Sequence, residues 1–215
     1  MSALVIKKRF TEQREIEAWI RSNISAEVRR NGFIIDQNTG EVFFDPKTEI
    51  ILGQASCNGG KNDKVIPIKF GGILNRFIIA NCQLSSFIGC PPIVKGILSV
   101  GGNFCQSFEG ISKECGHFIY LFPQNLKTLS GLNKYLKKAR SITTSSGVKS
   151  GWLTPAMIEG CKELEVVTST ETNPAVIKRV KLAAEIVNKH LAGKRDTLAL
   201  QEELIDNDFE EFATL

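Results

Sequence analysis

Three glycines, Gly89, Gly110 and Gly131, stand 21 residues apart, and five further columns keep the same interval. Phe77, Leu98 and Ile119 form one column, and Ile79, Val100 and Leu121 the next. Leu84, Cys105 and Leu126 follow, then Ser86, Ser107 and Thr128, and then Phe87, Phe108 and Leu129. A fixed period in the low twenties signals a solenoid, in which a short unit stacks on the next to bury a shared core. The spacing predicts three rungs over residues 77–132, with one short strand per turn. Such an architecture offers a surface before it offers a reaction.

Each rung carries an apolar-x-apolar-x-x-(Asn/Cys/Gln)-x-apolar order: Phe77, Ile79, Cys82, Leu84; Leu98, Val100, Asn103, Cys105; Ile119, Leu121, Gln124, Leu126. Alternate strand residues point inward, which predicts Phe77, Leu98 and Ile119 in one buried stack and Ile79, Val100 and Leu121 in another. The Asn/Cys/Gln column falls where the chain turns away and buried backbone groups need a side-chain partner. The glycine column permits a tight corner at positive φ.

This order resembles the leucine-rich repeat. The stretch Leu84 to Gly96 (LSSFIGCPPIVKG) is similar to a degenerate form of that repeat found in proteins of tailed phages. The resemblance covers about 60 of the 215 residues. It implies an α+β fold: a short leucine-rich-repeat-like solenoid over residues 73–140. An α/β capping segment over 1–72 precedes it, and a helical region with an acidic tail over 152–215 follows. T-even phages encode small repeat-bearing early proteins of this kind, one of which counters a DNA-ADP-ribosylating toxin. The resemblance therefore implies a non-catalytic module that binds and inhibits a host protein, for example a toxin.

Outside the repeat, Leu4 to Arg9 reads as a short strand and Thr11 to Asn23 as a helix burying Ile16, Trp19 and Ile20. Gly32 to Asp36 and Glu41 to Phe44 read as a hairpin. Glu49 to Leu52 and Val65 to Phe70 read as strands flanking a polar loop from Cys57 to Asp63. Leu132 to Arg140 has helical spacing with a basic face, and Ser141 to Gly151 reads as a linker. Thr154-Pro155 opens a short helix toward Glu165. Asn173-Pro174 opens a long one, with Ile177, Val180, Ala184, Val187 and Leu191 on one face and Gly193 as its stop. Asp196 caps a last helix through Leu204.

The chain offers little for catalysis. None of the six cysteines forms a Cys-x-x-Cys pair, so buried reduced thiols are expected rather than a metal site or disulfides. Of the two histidines, His190 sits in a last helical turn and His117 precedes the third repeat strand near Cys115. The pairs Gly59-Gly60, Gly71-Gly72 and Gly101-Gly102 lack phosphate-loop spacing and read as turn glycines. No cofactor is expected. No run of about 18 apolar residues is present to span a membrane, and the N-terminus lacks a secretory pattern; the expected location is the cytoplasm, the host's if the chain is phage-encoded.

Two candidate surfaces remain. Outward strand positions form the rows Arg76, Ile97, Phe118; Ile78, Ser99, Tyr120; and Ala80, Gly101, Phe122. These present Phe118, Tyr120, Phe122 and Ile78 to a protein partner, or to the chain's own C-terminal helices. The second surface is electrostatic. The seven acids from Asp196 onward stand without a basic residue, so residues 1–195 hold all 27 basic side chains against 16 acids, a formal +11. Phe209, Glu210, Glu211 and Phe212 alternate anchors with charge and suit docking on a basic surface, either the chain's own Lys134–Arg140 segment or a partner's. The alternative function is nucleic-acid association through Lys134, Lys137, Lys138 and Arg140, with Lys178, Arg179 and Lys181, regulated by the tail.

Overall fold

A computed structural model describes residues 9–61 and 63–214; most of the expected strand at Leu4–Arg9 lies outside them. Helix α1 (Gln13–Asn23) buries Ile16, Trp19 and Ile20, and a short α2 (Ala26–Arg30) follows, capped by Ser25. The hairpin forms as β1 (Phe33–Ile35) and β2 (Glu41–Phe44), followed by β3 (Glu49–Ile51). The expected loop from Cys57 instead holds an antiparallel pair, β4 (Asn58–Gly60) and β5 (Asp63–Val65). Strands β6 (Lys69–Phe70), β7 (Ile73–Leu74), β8 (Arg76–Ile78), β9 (Ile93–Ser99) and β10 (Glu114–Tyr120) carry the repeat.

The molecule is an α+β protein built on a β-solenoid of about four turns with C-terminal helices. Two further strands, β11 (Lys138–Ser145) and β12 (Leu164–Val167), complete the principal sheet, which runs β12-β11-β10-β9-β8-β3 and is parallel throughout, with β7 also pairing β9. Its inward column is Ile50, Phe77, Leu98, Phe118, Ile142 and Leu164, none more than 2% exposed. Burying one such side chain stabilises by about 1.5–3 kcal/mol, so this column is the main support of the coil. Gly89, Gly110 and Gly131 all take positive φ, as the corner requires. At Gly110 a Cβ would also stand 2.4 Å from the Ile88 backbone.

The coil outruns the three expected rungs. Residues 138–145, expected to begin as helix and continue as linker, form the eight-residue β11 (Lys138–Ser145), paired to β10 along its length. Only α3 (Leu132–Tyr135) is helical there. Local composition reads Ser-Ile-Thr-Thr-Ser as loop, but β-branched residues fit a pleated ladder when a neighbour supplies the other half. Thr144, fully buried, donates its hydroxyl to Tyr120 O at 3.2 Å. After a short 3₁₀ turn at Thr154–Met157, β12 (Leu164–Val167) extends the same sheet, where a helix toward Glu165 was expected.

The third rung departs from the 21-residue register. Val94 pairs with Cys115, 21 positions on, but Leu98 pairs with Phe118, 20 positions on. Strand β9 carries one extra residue between these pairs, and a one-residue shift reverses every side chain beyond it. Phe118 and Tyr120 therefore point inward, 0% and 3% exposed, while Ile119 turns outward. Their rings pack on Phe108 at 6.3 and 5.3 Å, with Phe87 stacked on Phe108 at 6.4 Å. The Tyr120 hydroxyl donates to Leu126 O at 2.5 Å.

The Asn/Cys column performs the role its position suggests. Asn103 Oδ1 accepts from Leu84 N–H at 3.0 Å, and its Nδ2 donates to Ile79 O and Val100 O at 2.8 and 2.7 Å. One turn earlier, the Cys82 thiol donates to Leu52 O at 3.0 Å. Gln124 is exposed and donates to Phe122 O at 3.3 Å, because the coil has shifted by then.

Helix α4 (Pro174–Ala192) starts at the Asn173 cap, and α5 (Thr197–Asp206) at the Asp196 cap. Helix α4 closes the β12 edge with Asn188, whose Oδ1 accepts from Leu164 N–H at 2.7 Å and whose Nδ2 donates to Leu164 O at 2.9 Å. The side-chain amide thus stands in for the next strand. Among the described residues, no helix is long and apolar enough to cross a membrane.

Candidate functional site

Along the principal sheet, inward residues do not alternate strictly. Leu74 and Phe77, Cys115 and Phe118, and Ala139 and Ile142 are each separated by two outward residues, and Val94 and Leu98 by three. Strict alternation keeps a strand straight, so these breaks, aligned from rung to rung, bend the sheet along a line. Gly116 lies on that line, where a Cβ would stand 2.3 Å from Lys95 O. Only a glycine lets the rungs approach so closely.

A cleft of about 400 Å³ follows the bend on the outer side. Ile73, Ile93, Val94 and Ala139 give it an apolar floor, and Lys95, Glu114, Lys138 and Arg140 a charged rim. Lys138 pairs with Glu159 at 3.5 Å. Lys95 and Arg140, both exposed, have no ion-pair partner among the described residues. Cys115 also lines the cleft, but burial, with Cys161 adding to it, pushes its thiol up to about 12. A thiol held protonated is a poor nucleophile, so Cys115 is a packing residue here. His117 instead lies on the outer face, its Nε2 2.6 Å from Thr143 Oγ1, and the Thr143 hydroxyl donates to Glu165 Oε2 at 2.8 Å. The threonine spends its hydrogen on the carboxylate, so it accepts from His117 and fixes the proton on Nε2. This ladder ties β10, β11 and β12 together across the outer face.

The remaining outward column is Ile51, Ile78, Ser99, Ile119, Thr143 and Glu165. Parallel sheets are normally covered on both faces. Here α4 packs on the β12 end, α1 buries its apolar face at the opposite end, and Ile51 remains 63% exposed.

The expected site residues separate into three groups. Phe118 and Tyr120 are core residues and cannot meet a partner, whereas Ile78 is half-buried on the outer face. Phe122 is 44% exposed at φ 53°, in line with Asn81 and Gly102, which also have positive φ. The corner imposes that conformation on a bulky residue that would not choose it. Phe209 and Phe212 are anchors, but on the chain itself. The Phe212 ring lies 4.2 Å from Trp152, and the Arg179 guanidinium lies 4.9 Å over Phe209.

Arg179 also holds Glu211 through two bonds of 2.8 Å, so the tail docks on α4 rather than on the Lys134–Arg140 segment. Glu210 stays exposed. Lys134, Lys137, Lys138 and Arg140 are exposed, but Lys134 lies on α3 while Lys138 and Arg140 lie on β11 and line the cleft. Lys95, Glu114 and Gly116 were missed by sequence reasoning. Their signal was the broken inward alternation, legible only once the strand register is known. All six cysteines are free and buried.

No protein-family model, curated protein or solved structure matches the chain, so the bend cleft and the outer face of the sheet are themselves the basis for reading its function.

Proposed function

We propose that the chain is a non-catalytic protein-binding module of the leucine-rich-repeat type, similar to the accessory factors of tailed phages, and that it inhibits a host protein such as a toxin. The observation that carries the reading is the partly exposed outer face of a parallel sheet, with an apolar cleft along its bend and two rim cations, Lys95 and Arg140, that have no ion-pair partner among the described residues. A surface of that chemistry suits a partner segment presenting an apolar side chain beside carboxylates. The chain's own tail shows the same pairing, with Phe209 and Glu211 on Arg179.

Affinity capture from host cells with the parent and with Lys95→Glu/Arg140→Glu tests this. Both positions are exposed, so the variant is expected to melt like the parent. The parent retains a defined protein that the variant loses, and retention weakens as salt rises. Retention of duplex DNA instead, lost with Lys137→Glu/Arg140→Glu and steeply salt-dependent, would replace this reading with the nucleic-acid one. Equal capture by parent and variant would remove the cleft from the interface.

A further inference from the structure

The two edges of the principal sheet are treated differently. At β12, Asn188 of α4 occupies both main-chain groups of Leu164. At β3, none of the described residues does so. Arg76 N–H donates to Thr48 O, and Leu52 N–H donates to Ile78 O, so Thr48 O, the main-chain groups of Ile50 and Leu52 N–H face β8. Glu49 and Ile51 therefore turn theirs away. Among the described residues, these N–H and C=O groups have no hydrogen-bond partner. They form two donor–acceptor pairs about 7 Å apart along the strand. Open edges are ordinarily blunted or covered.

The space beside this edge is a groove. A hollow of about 400 Å³ lies between β3 and the α1–α2 corner, walled by Ile24, Ser25 and Val28. A second of about 340 Å³ adjoins it, sharing Ser25, Val28 and Glu49. The groove carries Glu27 and Asp45 against one lining cation, Lys47, while Glu49 is paired with Arg76 at 3.7 Å.

We infer that β3 is a strand-addition site for an extended peptide segment in which apolar residues alternate with lysine or arginine. The free main-chain pairs dictate an extended backbone, which is how peptides are recognised at open sheet edges. The acidic groove selects the basic side chains, and Ile24, Val28 and Ile51 meet the apolar ones. The α1–α2 corner stands beside the edge, leaving a channel suited to one strand rather than the face of a second folded copy.

The probe is an acetylated six-residue peptide alternating lysine and valine, with its glutamate–valine counterpart as control. Titration is followed by amide hydrogen exchange on the full chain. The Glu49 and Ile51 amides exchange rapidly in the free protein and become protected on adding the lysine peptide. The glutamate peptide binds at least about tenfold more weakly. Ile51→Pro removes only the outward-facing N–H, a substitution that sheet edges tolerate; it melts like the parent and loses the peptide. Glu27→Gln/Asp45→Asn keeps the edge and weakens the lysine peptide alone, which separates groove charge from fold. Protection of both amides in the free chain at low concentration would overturn the inference, as would undiminished binding to Ile51→Pro. Protection that rises with protein concentration and vanishes in Ile51→Pro would assign the edge to a second copy and overturn the peptide assignment.

Discussion

Replacing Asn103 by leucine tests whether the coil depends on side chains that satisfy its turning backbone. Asn103 is 3% exposed and serves three main-chain groups: Leu84 N–H, Ile79 O and Val100 O. Leucine has nearly the same shape and no polar atoms, so the substitution removes hydrogen bonds without opening a cavity. Each buried group left without a partner costs about 1–3 kcal/mol, and three give about 3–9 kcal/mol before relaxation. The lower end is expected, because a corner can shift enough to admit water. Against a total stability of about 5–15 kcal/mol, a loss of about 3 kcal/mol lowers the melting temperature by about 6–12 °C for a chain of this size. Cys82→Ala, in the same column one turn earlier, loses a single weak thiol donor and is expected to cost about 1 kcal/mol. Urea melts of the parent and both variants measure the difference. An Asn103→Leu midpoint within error of the parent, or a Cys82→Ala loss equal to that of Asn103→Leu, would refute the reasoning.

Two further outcomes follow from the geometry. Gly110→Ala places a Cβ 2.4 Å from the Ile88 backbone at φ 83° and is expected to destabilise by more than about 1 kcal/mol, whereas Gly40→Ala, also at positive φ but with open space, loses about 1 kcal/mol or less; thermal melts of both check this. Arg179 holds the Glu211 carboxyl below its ordinary range. A depressed folded value means that this stabilisation is complete above the ordinary carboxylate value and is lost as pH falls through the lowered folded value. Limited proteolysis within residues 207–214 should therefore rise at acid pH in the parent, be high at neutral pH in Phe212→Ala, and lose its acid-dependent increase in Arg179→Ala.

The sequence by itself determined what repeats locally. The glycine column needed positive φ whatever surrounded it. The caps at Asn173 and Asp196 set the starts of α4 and α5, and the Asn103 position announced a buried turn. These are decided within a few residues by sterics and by orphaned backbone groups. Tertiary structure decided the rest. Whether Ser141–Ser145 is a linker or an inner strand depends on whether β10 offers a ladder beside it, which the segment's composition does not record. The inward turn of Phe118 and Tyr120 depends on one extra residue in β9, because side-chain direction in a strand is set by register against the neighbour. The bend cleft inherits that dependence: Lys95, Gly116 and Arg140 meet only when coils of 20 to 24 residues stack in this register. The tail's choice of Arg179 over the Lys134–Arg140 segment arose the same way, since β11 took Lys138 and Arg140 into the sheet while α4 brought Arg179 over Phe209 and Trp152 received Phe212.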